Sequence, residues 1–225
     1  MPDTKALFDK ISKHYDLLNS LFSAGIDKRW RKKLVSIFQT NSFILDVATG
    51  TAEVLIEGFN HTKISSGIGI DPSMEMLKIG KDKLDRKGKS DVSSLFQSAA
   101  ENLPFKDNLF DGVTIAFGIR NTIDYERSLK EMQRVLKKDG TIAILEFAIP
   151  KISIFTALYL FYFKYIMPFI GSLFGSRKEY KYLSDSTTEF PQRDVFKDIM
   201  EKCGFRDCKY EELSFGIAVI YTGFK

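Results

Sequence analysis

Apolar positions follow two different spacings along the 225-residue chain, and together they predict strands interleaved with helices. Short apolar runs are typical of buried strands, and such runs occupy residues 42–48, 64–71, 92–96, 110–117 and 141–147. Apolar residues three or four positions apart are typical of amphipathic helices, and this spacing occurs within residues 4–40, 73–87, 124–138 and 194–203. We expect two closing strands near residues 205–213 and 216–224.

The order of these elements predicts an α/β fold. Strands that alternate with helices form a parallel sheet with helices on both faces. The two closing strands are joined by a short turn, which cannot make a parallel crossover, so the final strand must be antiparallel. A Rossmann-like, seven-stranded, mostly parallel sheet with an antiparallel last strand resembles the class I S-adenosylmethionine-dependent methyltransferases.

Composition places the whole chain among ordinary globular domains. Hydrophobic residues make up 44% and charged residues 28%, which excludes a disordered or fibrous chain. We expect a single domain over residues 1–225. Its parts are N-terminal helices in 1–40, a cofactor-binding half in 41–150, an apolar lid in 151–190, and a closing helix and strands in 191–225.

Charge and cysteine content exclude several kinds of partner. The net charge is +4, and Lys and Arg are scattered, with short runs only at Lys28–Lys33 and Lys81–Lys89, so we expect no nucleic-acid partner. Two cysteines are too few for a disulfide framework or a zinc site, so we expect no metal. The first residues lack the apolar region of a secretory signal, which predicts a cytoplasmic location.

The turn after the first predicted strand reads Asp-Val-Ala-Thr-Gly-Thr-Ala-Glu over residues 46–53. Ligands of open α/β sheets bind at the carboxyl ends of the strands. Gly50 is the one glycine of this turn, so the turn lacks the G-x-G-x-x-G pattern of a pyrophosphate-binding loop. Adenosylmethionine has no phosphate and suits such a turn, with Asp46 either anchoring the loop or facing the methionine ammonium. The alternative is an ordinary tight turn between a strand and a helix.

A second carboxylate, Asp71, ends the second predicted strand, 21 residues after Gly50. A carboxylate at that place can accept hydrogen bonds from both ribose hydroxyls of a nucleoside. The alternative is a cap for the helix that starts near Ser73, because Asp-Pro-Ser is also good turn chemistry. We prefer the ribose role, because the small turn and the acid occur together in the expected order.

Several segments that cover almost the whole chain resemble the ubiquinone/menaquinone biosynthesis C-methyltransferases. The most specific are Tyr-Asp-Leu-Leu-Asn at residues 15–19 and Phe-Gly-Ile-Arg-Asn at 117–121. Ala-Glu-Asn-Leu-Pro-Phe at 100–105 is common to many methyltransferases. The resemblance implies transfer of a methyl group from S-adenosyl-L-methionine to a ring carbon of a polyprenyl quinol. Demethylmenaquinol is the preferred substrate. The alternatives are a methoxybenzoquinol of ubiquinone biosynthesis and another lipid or small molecule.

The same resemblance implies cofactor contacts at Thr51 in the turn, at Asp71 for the ribose, at Ala99 and Ala100 beside the adenine, and at Ala116 after the fourth strand. Two positions depart from the family. Glycine is usual where Ala52 stands, and the extra methyl is costly if this residue needs a positive φ. Asp or Asn is usual where Ala99 stands, so backbone groups must bind the adenine here.

Catalysis on a quinol ring requires that a neighbouring hydroxyl lose its proton. Arg120 follows the fourth strand and can stabilise the resulting phenolate or orient a water that accepts the proton. The alternative is a structural ion pair with Asp124 or Glu146. Asn121 can orient the substrate or cap the next helix, and Tyr15 can close over the site or simply pack in the N-terminal helices.

Residues 152–175 form an unusually aromatic segment, with 17 apolar residues of which eight are Phe or Tyr, and a single charge at Lys164. Lys164 and Pro168 interrupt the segment, which argues against a membrane span. We expect an apolar lid that receives the isoprenoid tail and makes peripheral contact with the inner face of the membrane. The alternative is a pair of buried helices. The sequence leaves the oligomeric state open, with a homo-oligomer among the alternatives.

Overall fold

The computed structural model describes residues 6, 8, 9, 12, 23, 25–61, 64–151, 182 and 185–225. Most of residues 1–24, including Tyr15, and most of the predicted apolar lid therefore lie outside the described residues. The proposed single-domain division over residues 1–225 stays a prediction.

Five helices and seven strands have both ends within the described residues, and residues 185–189 are helical as well. The helices are α1 (Asp27–Ser36), α2 (Glu53–Asn60), α3 (Met74–Arg86), α4 (Tyr125–Val135) and α5 (Asp194–Lys202). The strands are β1 (Ser42–Val47), β2 (Ile64–Asp71), β3 (Ser93–Gln97), β4 (Phe110–Ala116), β5 (Leu136–Phe147), β6 (Arg206–Leu213) and β7 (Ala218–Phe224). Short 3₁₀ turns lie at Ser90–Val92, Ile119–Asn121 and Ser214–Gly216.

The seven strands form one sheet in the order β3-β2-β1-β4-β5-β7-β6. Strands β1 to β5 pair in parallel, while β7 runs antiparallel to both β5 and β6. The predicted fold class is confirmed, including the antiparallel last strand. Because the order reverses between β1 and β4, the carboxyl ends of these two strands border a crevice.

Two apolar cores cover the two faces of the sheet. One contains Trp30 and Leu34 of α1 together with Leu55 and Phe59 of α2. The other contains apolar residues of α4 and α5, for example Met132 and Met200. Helices α1 and α2 therefore lie on the opposite face from α4 and α5, as the alternating pattern predicts.

Strand β5 begins earlier than its sequence predicts. The helix was expected to run to Lys138 and the strand to start at Thr141, but α4 ends at Val135 and β5 starts at Leu136. Leu136 is fully buried and pairs with Phe110, after which the β4–β5 register shifts. Asp139, in the expected turn, does adopt a positive φ of 62°. The turn is thus a bulge inside the strand, because burial of Leu136 extends the pairing past it.

Tyr221 ties strand β7 to the start of α5. Its hydroxyl accepts a hydrogen bond from the Arg193 backbone N–H at 2.7 Å, and its side chain is 1% exposed. Arg193 has a φ of 57°, which is unusual for a residue with a side chain. The Arg193 guanidinium also donates to the Ile149 carbonyl at 2.7 Å and to Glu212 at 2.5 Å. These bonds hold the end of β5, the start of α5 and β6 together.

We expect Tyr221→Phe to lower the free energy of unfolding by about 1–3 kcal/mol, because it leaves the buried Arg193 N–H without an acceptor. Tyr210→Phe is the matched control, since the Tyr210 hydroxyl only contacts Asp194 at 3.2 Å in an exposed position. Urea unfolding of both variants measures the difference. Equal stability of the two variants would show that the Tyr221 bond contributes nothing specific.

Candidate active site

The carboxyl ends of β1, β2 and β4 border a cavity, and six of the predicted site residues line it. They are Gly50, Asp71, Ala99, Ala100, Ala116 and Asn121. The carboxyl ends of four strands, β1 to β4, and the turns after them supply these residues, and the parallel pairing of the strands places them at one edge. The structure therefore brings together residues that are 71 positions apart in the sequence, from Gly50 to Asn121.

The turn after β1 is strained in a way that leaves room for a ligand. Ala48, Gly50 and Ala52 all have left-handed backbone conformations, with φ of 50°, 54° and 63°. No atom lies within 4 Å of the position where a Cβ would stand on Gly50, so a ligand can approach this backbone closely. Ala52 therefore adopts the costly positive φ, which a glycine would adopt without strain. Such strain is characteristic of functional sites.

Asp71 joins this turn to the next helix. Its two carboxylate oxygens accept hydrogen bonds from the Gly50 N–H at 2.9 Å and from the Ser73 N–H at 2.8 Å. Burial raises the pKa of Asp71 to about 6, although the two backbone bonds oppose that rise. Asp71 thus acts as the predicted turn residue and also lines the cavity, where each oxygen keeps capacity for a ribose hydroxyl.

Asp46 and Thr51 are buried and are not among the described residues that line the cavity. Asp46 Oδ2 accepts a hydrogen bond from the Thr49 hydroxyl at 2.6 Å, while Oδ1 has no partner among the described residues. The Thr51 hydroxyl accepts a bond from Lys83 Nζ at 3.0 Å. In the structure Asp46 therefore anchors the loop, and Thr51 connects it to α3. Their predicted contacts with the cofactor stay predictions.

The charges around the cavity suit a cation without phosphate groups. Its described lining includes two acids, Asp71 and Glu101, and no Lys or Arg. Glu101 Oε1 accepts a bond from the Ile123 N–H at 2.7 Å, which fixes the turn after β4. A sulfonium and an ammonium group fit this environment, whereas a pyrophosphate needs donors or positive charge. The site thus has the chemistry that adenosylmethionine requires.

Phe117 is a site residue that sequence reasoning identified only as part of a motif. It lines the cavity with a φ of 58°, and its ring stacks on Phe147 with centroids 4.4 Å apart. The centroid of the Trp30 ring lies 6.2 Å from that of the Phe117 ring. The next residue, Gly118, packs so closely that a Cβ there would lie 2.6 Å from the Ala48 Cβ. Close contact between the two turns sets the width of the cavity at this side.

The N-terminal segment reaches the same cavity. Phe8 lines it, and the Asp9 carboxylate accepts a hydrogen bond from the Ser73 hydroxyl. These two contacts place part of the N-terminal segment at the edge of the cavity. Tyr15, which was predicted to contribute, lies outside the described residues.

Arg120 lies beside the cavity in a buried polar cluster. Its guanidinium donates to the Phe117 carbonyl at 2.8 Å and forms an ion pair with Glu146, and the two side chains are 4% and 1% exposed. Asn121 donates to the same Phe117 carbonyl at 3.1 Å. Of the two ion pairs considered for Arg120, the structure contains the one with Glu146. Asp124 instead caps α4 through the Arg127 N–H at 2.9 Å.

Three polar atoms of this cluster are buried without a hydrogen-bond partner among the described residues: Arg120 Nε, Asn121 Oδ1 and Glu146 Oε2. Burial raises the pKa of Glu146, and the Arg120 guanidinium partly offsets that rise. Tyr182 lies close enough to Arg120 to interact with its charge. Burial raises the pKa of the Tyr182 hydroxyl, and the positive charge of Arg120 partly opposes that rise. Sequence reasoning considered Glu146 only as an ion-pair partner of Arg120, and it assigned no site role to Tyr182.

The described part of the chain contains no group of three or more His, Cys, Asp or Glu side chains that could hold a metal ion. Among the same residues, no helix has the length and apolar content needed to cross a bilayer.

Solved structures share this architecture. A Thermotoga maritima S-adenosylmethionine-dependent methyltransferase superposes with a TM-score of 0.70 at 21% identity, covering 98% of this chain and 99% of that one. A Haemonchus contortus phosphoethanolamine N-methyltransferase, solved in complex with S-adenosyl-L-methionine, has a TM-score of 0.63 at 15% identity, covering 88% and 52% of the two chains. The sheet order and these likenesses define a class I S-adenosylmethionine-dependent methyltransferase fold.

Residues 3–225 match the ubiE/COQ5 methyltransferase family, and the chain belongs to it. It is 46% identical over 222 residues to the ubiquinone/menaquinone biosynthesis C-methyltransferase of Geotalea uraniireducens, covering 97% of this chain and 94% of the relative. It is 37% identical to the demethylmenaquinone methyltransferase of Porphyromonas gingivalis, covering 98% and 92%. The chain is therefore an S-adenosylmethionine-dependent C-methyltransferase, which confirms the predicted family and enzyme class.

The buried Asp46 predicts how stability depends on pH. Burial raises its pKa from 3.8 to about 7, so the folded protein binds this proton more tightly than the unfolded chain does. The resulting stabilisation is complete below the unfolded pKa and is lost as the pH rises through the folded value. We expect the free energy of unfolding of the ligand-free protein to fall between about pH 4 and pH 7. Asp46→Asn should flatten this dependence.

The control for that measurement is Asp82→Asn, which removes the same charge from an exposed position on α3. It should leave the pH dependence of wild type in place. A pH profile of Asp46→Asn that matches the wild-type profile would show that Asp46 does not take up a proton on folding.

Proposed function

We propose that this protein methylates a ring carbon of a polyprenyl quinol and converts demethylmenaquinol to menaquinol. Relatives from Porphyromonas gingivalis and Anoxybacillus flavithermus, 37% and 40% identical, are named demethylmenaquinone methyltransferases. The Geotalea relatives are named for both ubiquinone and menaquinone biosynthesis, which supports methoxybenzoquinol as the alternative substrate. The observation that carries the proposal is the buried Arg120 cluster beside the cofactor cavity.

The cavity residues fit S-adenosyl-L-methionine, which supplies an electrophilic methyl group when it is bound. The open backbone at Gly50 accommodates the methionine portion, and Asp71 offers its carboxylate to the ribose hydroxyls. Ala99 and Ala100 border the cavity after β3. Backbone groups there form the hydrogen bonds to the adenine that a polar side chain usually makes. Small residues on this side leave space for the flat ring.

Arg120 supplies the positive charge that quinol chemistry needs. Loss of the hydroxyl proton makes the adjacent ring carbon nucleophilic, and a fixed cation stabilises the phenolate that forms. A guanidinium stays protonated at physiological pH, so Arg120 acts as this stabilising group and not as the base. Asn121 lines the cavity next to it, so a quinol bound against Asn121 approaches the guanidinium.

Three contacts hold the Arg120 guanidinium before any substrate arrives. Glu146 pairs with it, the Phe117 carbonyl accepts from it, and the Phe147 ring lies 5.5 Å from its central carbon. Glu146 is itself fixed by the Phe147 N–H at 2.9 Å. A group held in this way needs little reorganisation during the reaction, which is the main source of electrostatic catalysis. Glu146 is therefore a positioning residue.

Other parts of the proposal concern regions outside the described residues. Reception of the isoprenoid tail by residues 151–190, with peripheral membrane contact from the cytoplasmic side, stays a prediction. A role for Tyr15 and assembly into a homo-oligomer stay predictions as well. The proposed chemistry uses no metal.

The substrate is tested by incubating the purified protein with S-adenosyl-L-methionine and chemically reduced quinones of equal tail length. We expect mass spectrometry to find a methyl group on a ring carbon of demethylmenaquinol, with slower reaction of the methoxybenzoquinol. Preference for the methoxybenzoquinol would establish the alternative. Methylation at oxygen or nitrogen, or on neither quinol, would contradict the proposal.

The role of Arg120 is tested by replacing the ion pair as a unit. Arg120→Ala alone leaves the Glu146 charge buried without its partner, a loss of about 3–5 kcal/mol. The double variant Arg120→Met/Glu146→Met removes both charges and should stay folded. We expect it to bind S-adenosyl-L-methionine like wild type and to have a kcat at least about 100-fold lower.

Glu146→Gln completes this experiment, because it keeps the shape of the positioning residue and removes its charge. It should lower kcat less than the double variant does and leave cofactor affinity unchanged. Wild-type turnover in a folded double variant would show that the Arg120–Glu146 pair is purely structural.

A further inference from the structure

Helix α1 contains a buried ion pair that the proposed reaction does not use. Arg31 is 8% exposed, and its guanidinium pairs with Asp27 one helical turn earlier. Asp27 also accepts a hydrogen bond from the Ser23 hydroxyl at 2.7 Å. Burial raises the pKa of Asp27, but the Ser23 hydrogen bond and the Arg31 charge outweigh that rise and lower the pKa below its usual value. The pair therefore consists of a buried cation and a buried anion.

The Arg31 guanidinium contacts the turn after β4. Its central carbon lies over the Phe117 ring, 5.8 Å from the ring centroid, which is within the range of a cation–π interaction. Phe117 lines the cavity, and its carbonyl accepts the hydrogen bonds of Arg120 and Asn121. Its φ of 58° is a conformation that a residue with a side chain keeps only when its surroundings enforce it. Arg31 is one of the groups that hold the Phe117 ring in place.

The same guanidinium acts on the turn after β1 through Asp46, near the end of that strand. Asp46 Oδ2 accepts from the Thr49 hydroxyl at 2.6 Å, and Oδ1 has no partner among the described residues. The positive charge of Arg31 on α1 favours the ionised form of Asp46, whereas the negative charge of Asp71 on β2 disfavours it. Arg31 thus acts on both turns that border the cavity at this side.

Two buried carboxyl groups share this one cation. Asp27 forms the direct ion pair with Arg31, and Asp46 receives only a longer-range attraction. Such attraction persists between buried groups because little water screens it. Removal of the Asp27 charge should therefore leave more of the Arg31 field to Asp46, and removal of the Arg31 charge should leave none.

We propose that Arg31 is a positioning residue for the cofactor site, whose guanidinium holds the Phe117 ring on one side of the cavity and attracts the Asp46 carboxylate on the other. An ionised Asp46 accepts a stronger hydrogen bond from Thr49, so the Arg31 charge strengthens the anchor of the turn after β1. Asp27 keeps Arg31 in this place. The inference rests on the use of S-adenosyl-L-methionine in the proposed function and not on the identity of the quinol.

Carboxyl-carbon NMR of the full-length, ligand-free protein measures the pKa of Asp46, and Asp46→Asn identifies its signal. We expect Arg31→Met to raise this pKa further above the wild-type value of about 7, because the attraction is lost. Asp27→Asn should lower it, because Arg31 loses its direct partner while Ser23 keeps an acceptor. Arg31→Lys keeps the charge and should stay close to wild type. General loosening of the helix would not produce changes of opposite sign.

Calorimetry of S-adenosyl-L-methionine binding gives the functional measurement. Arg31→Met should bind the cofactor about tenfold more weakly than wild type does, and Arg31→Lys should recover part of this loss. Arg29→Met is the matched control, because it removes the same group from an exposed position on the same helix. It should leave both the pKa of Asp46 and the cofactor affinity unchanged.

Two results would overturn the proposal. An unchanged pKa of Asp46 in both Arg31→Met and Asp27→Asn would show that Arg31 does not act on the turn after β1. Wild-type cofactor affinity in a folded Arg31→Met protein would show that Arg31 does not position the site. If Arg31→Met fails to fold, Asp27→Asn/Arg31→Met leaves no unpaired buried charge and should show the same higher pKa and weaker binding. Neither measurement uses a quinol, so failure of the proposed reaction would be a separate result.

Discussion

The hydrogen bonds of the Asp71 carboxylate fix the geometry on which the cofactor cavity depends. Asp71 ends β2, and its oxygens hold the strained turn after β1 at Gly50 and the start of α3 at Ser73. Two backbone segments from different strands are thereby joined through one side chain. Burial of the Asp71 carboxylate disfavours its charged form and raises its pKa to about 6. A ligand that carries positive charge and hydroxyl donors favours the ionised carboxylate and therefore opposes this rise in pKa.

A second constraint acts at the end of β4 and shapes the catalytic side of the cavity. Phe117 has a left-handed backbone, its ring contacts Trp30 and Phe147, and its carbonyl accepts bonds from both Arg120 and Asn121. The buried charge of Arg120 is compatible with folding because Glu146 faces it from β5. Packing of the strands thus places a buried, ion-paired guanidinium beside the cavity. The same aromatic group connects the cavity to α1 through the contact between Phe117 and Trp30.

Much of the fold could be predicted from the sequence, because the spacings of apolar residues in strands and helices are local signals. The approximate positions of the strands, the antiparallel last strand and the placement of Gly50 and Asp71 at one edge followed from these signals. The site positions Ala99 and Ala116 were implied by the family resemblance instead. The partners of buried polar groups could not be predicted in this way. The sequence did not predict that Thr51 faces Lys83, and it left open whether Arg120 pairs with Asp124 or Glu146, because tertiary packing sets these contacts. The start of β5 also differed, since burial of Leu136 outweighed the turn signal at Asp139.

Calorimetry of S-adenosyl-L-methionine binding to Asp71→Ala and Ser73→Ala tests whether the cofactor cavity depends on the Asp71 carboxylate. Ser73 caps α3 by accepting from the Met76 N–H at 3.2 Å and also donates to Asp9 of the N-terminal segment, so its loss should weaken the fold by about 1 kcal/mol and lower cofactor affinity less than the loss of Asp71 does. Loss of Asp71 removes both the loop bonds and the ribose acceptor. We expect Asp71→Ala to bind the cofactor at least about tenfold more weakly than wild type does, and to be less stable than Ser73→Ala. Wild-type affinity in a folded Asp71→Ala protein would contradict it.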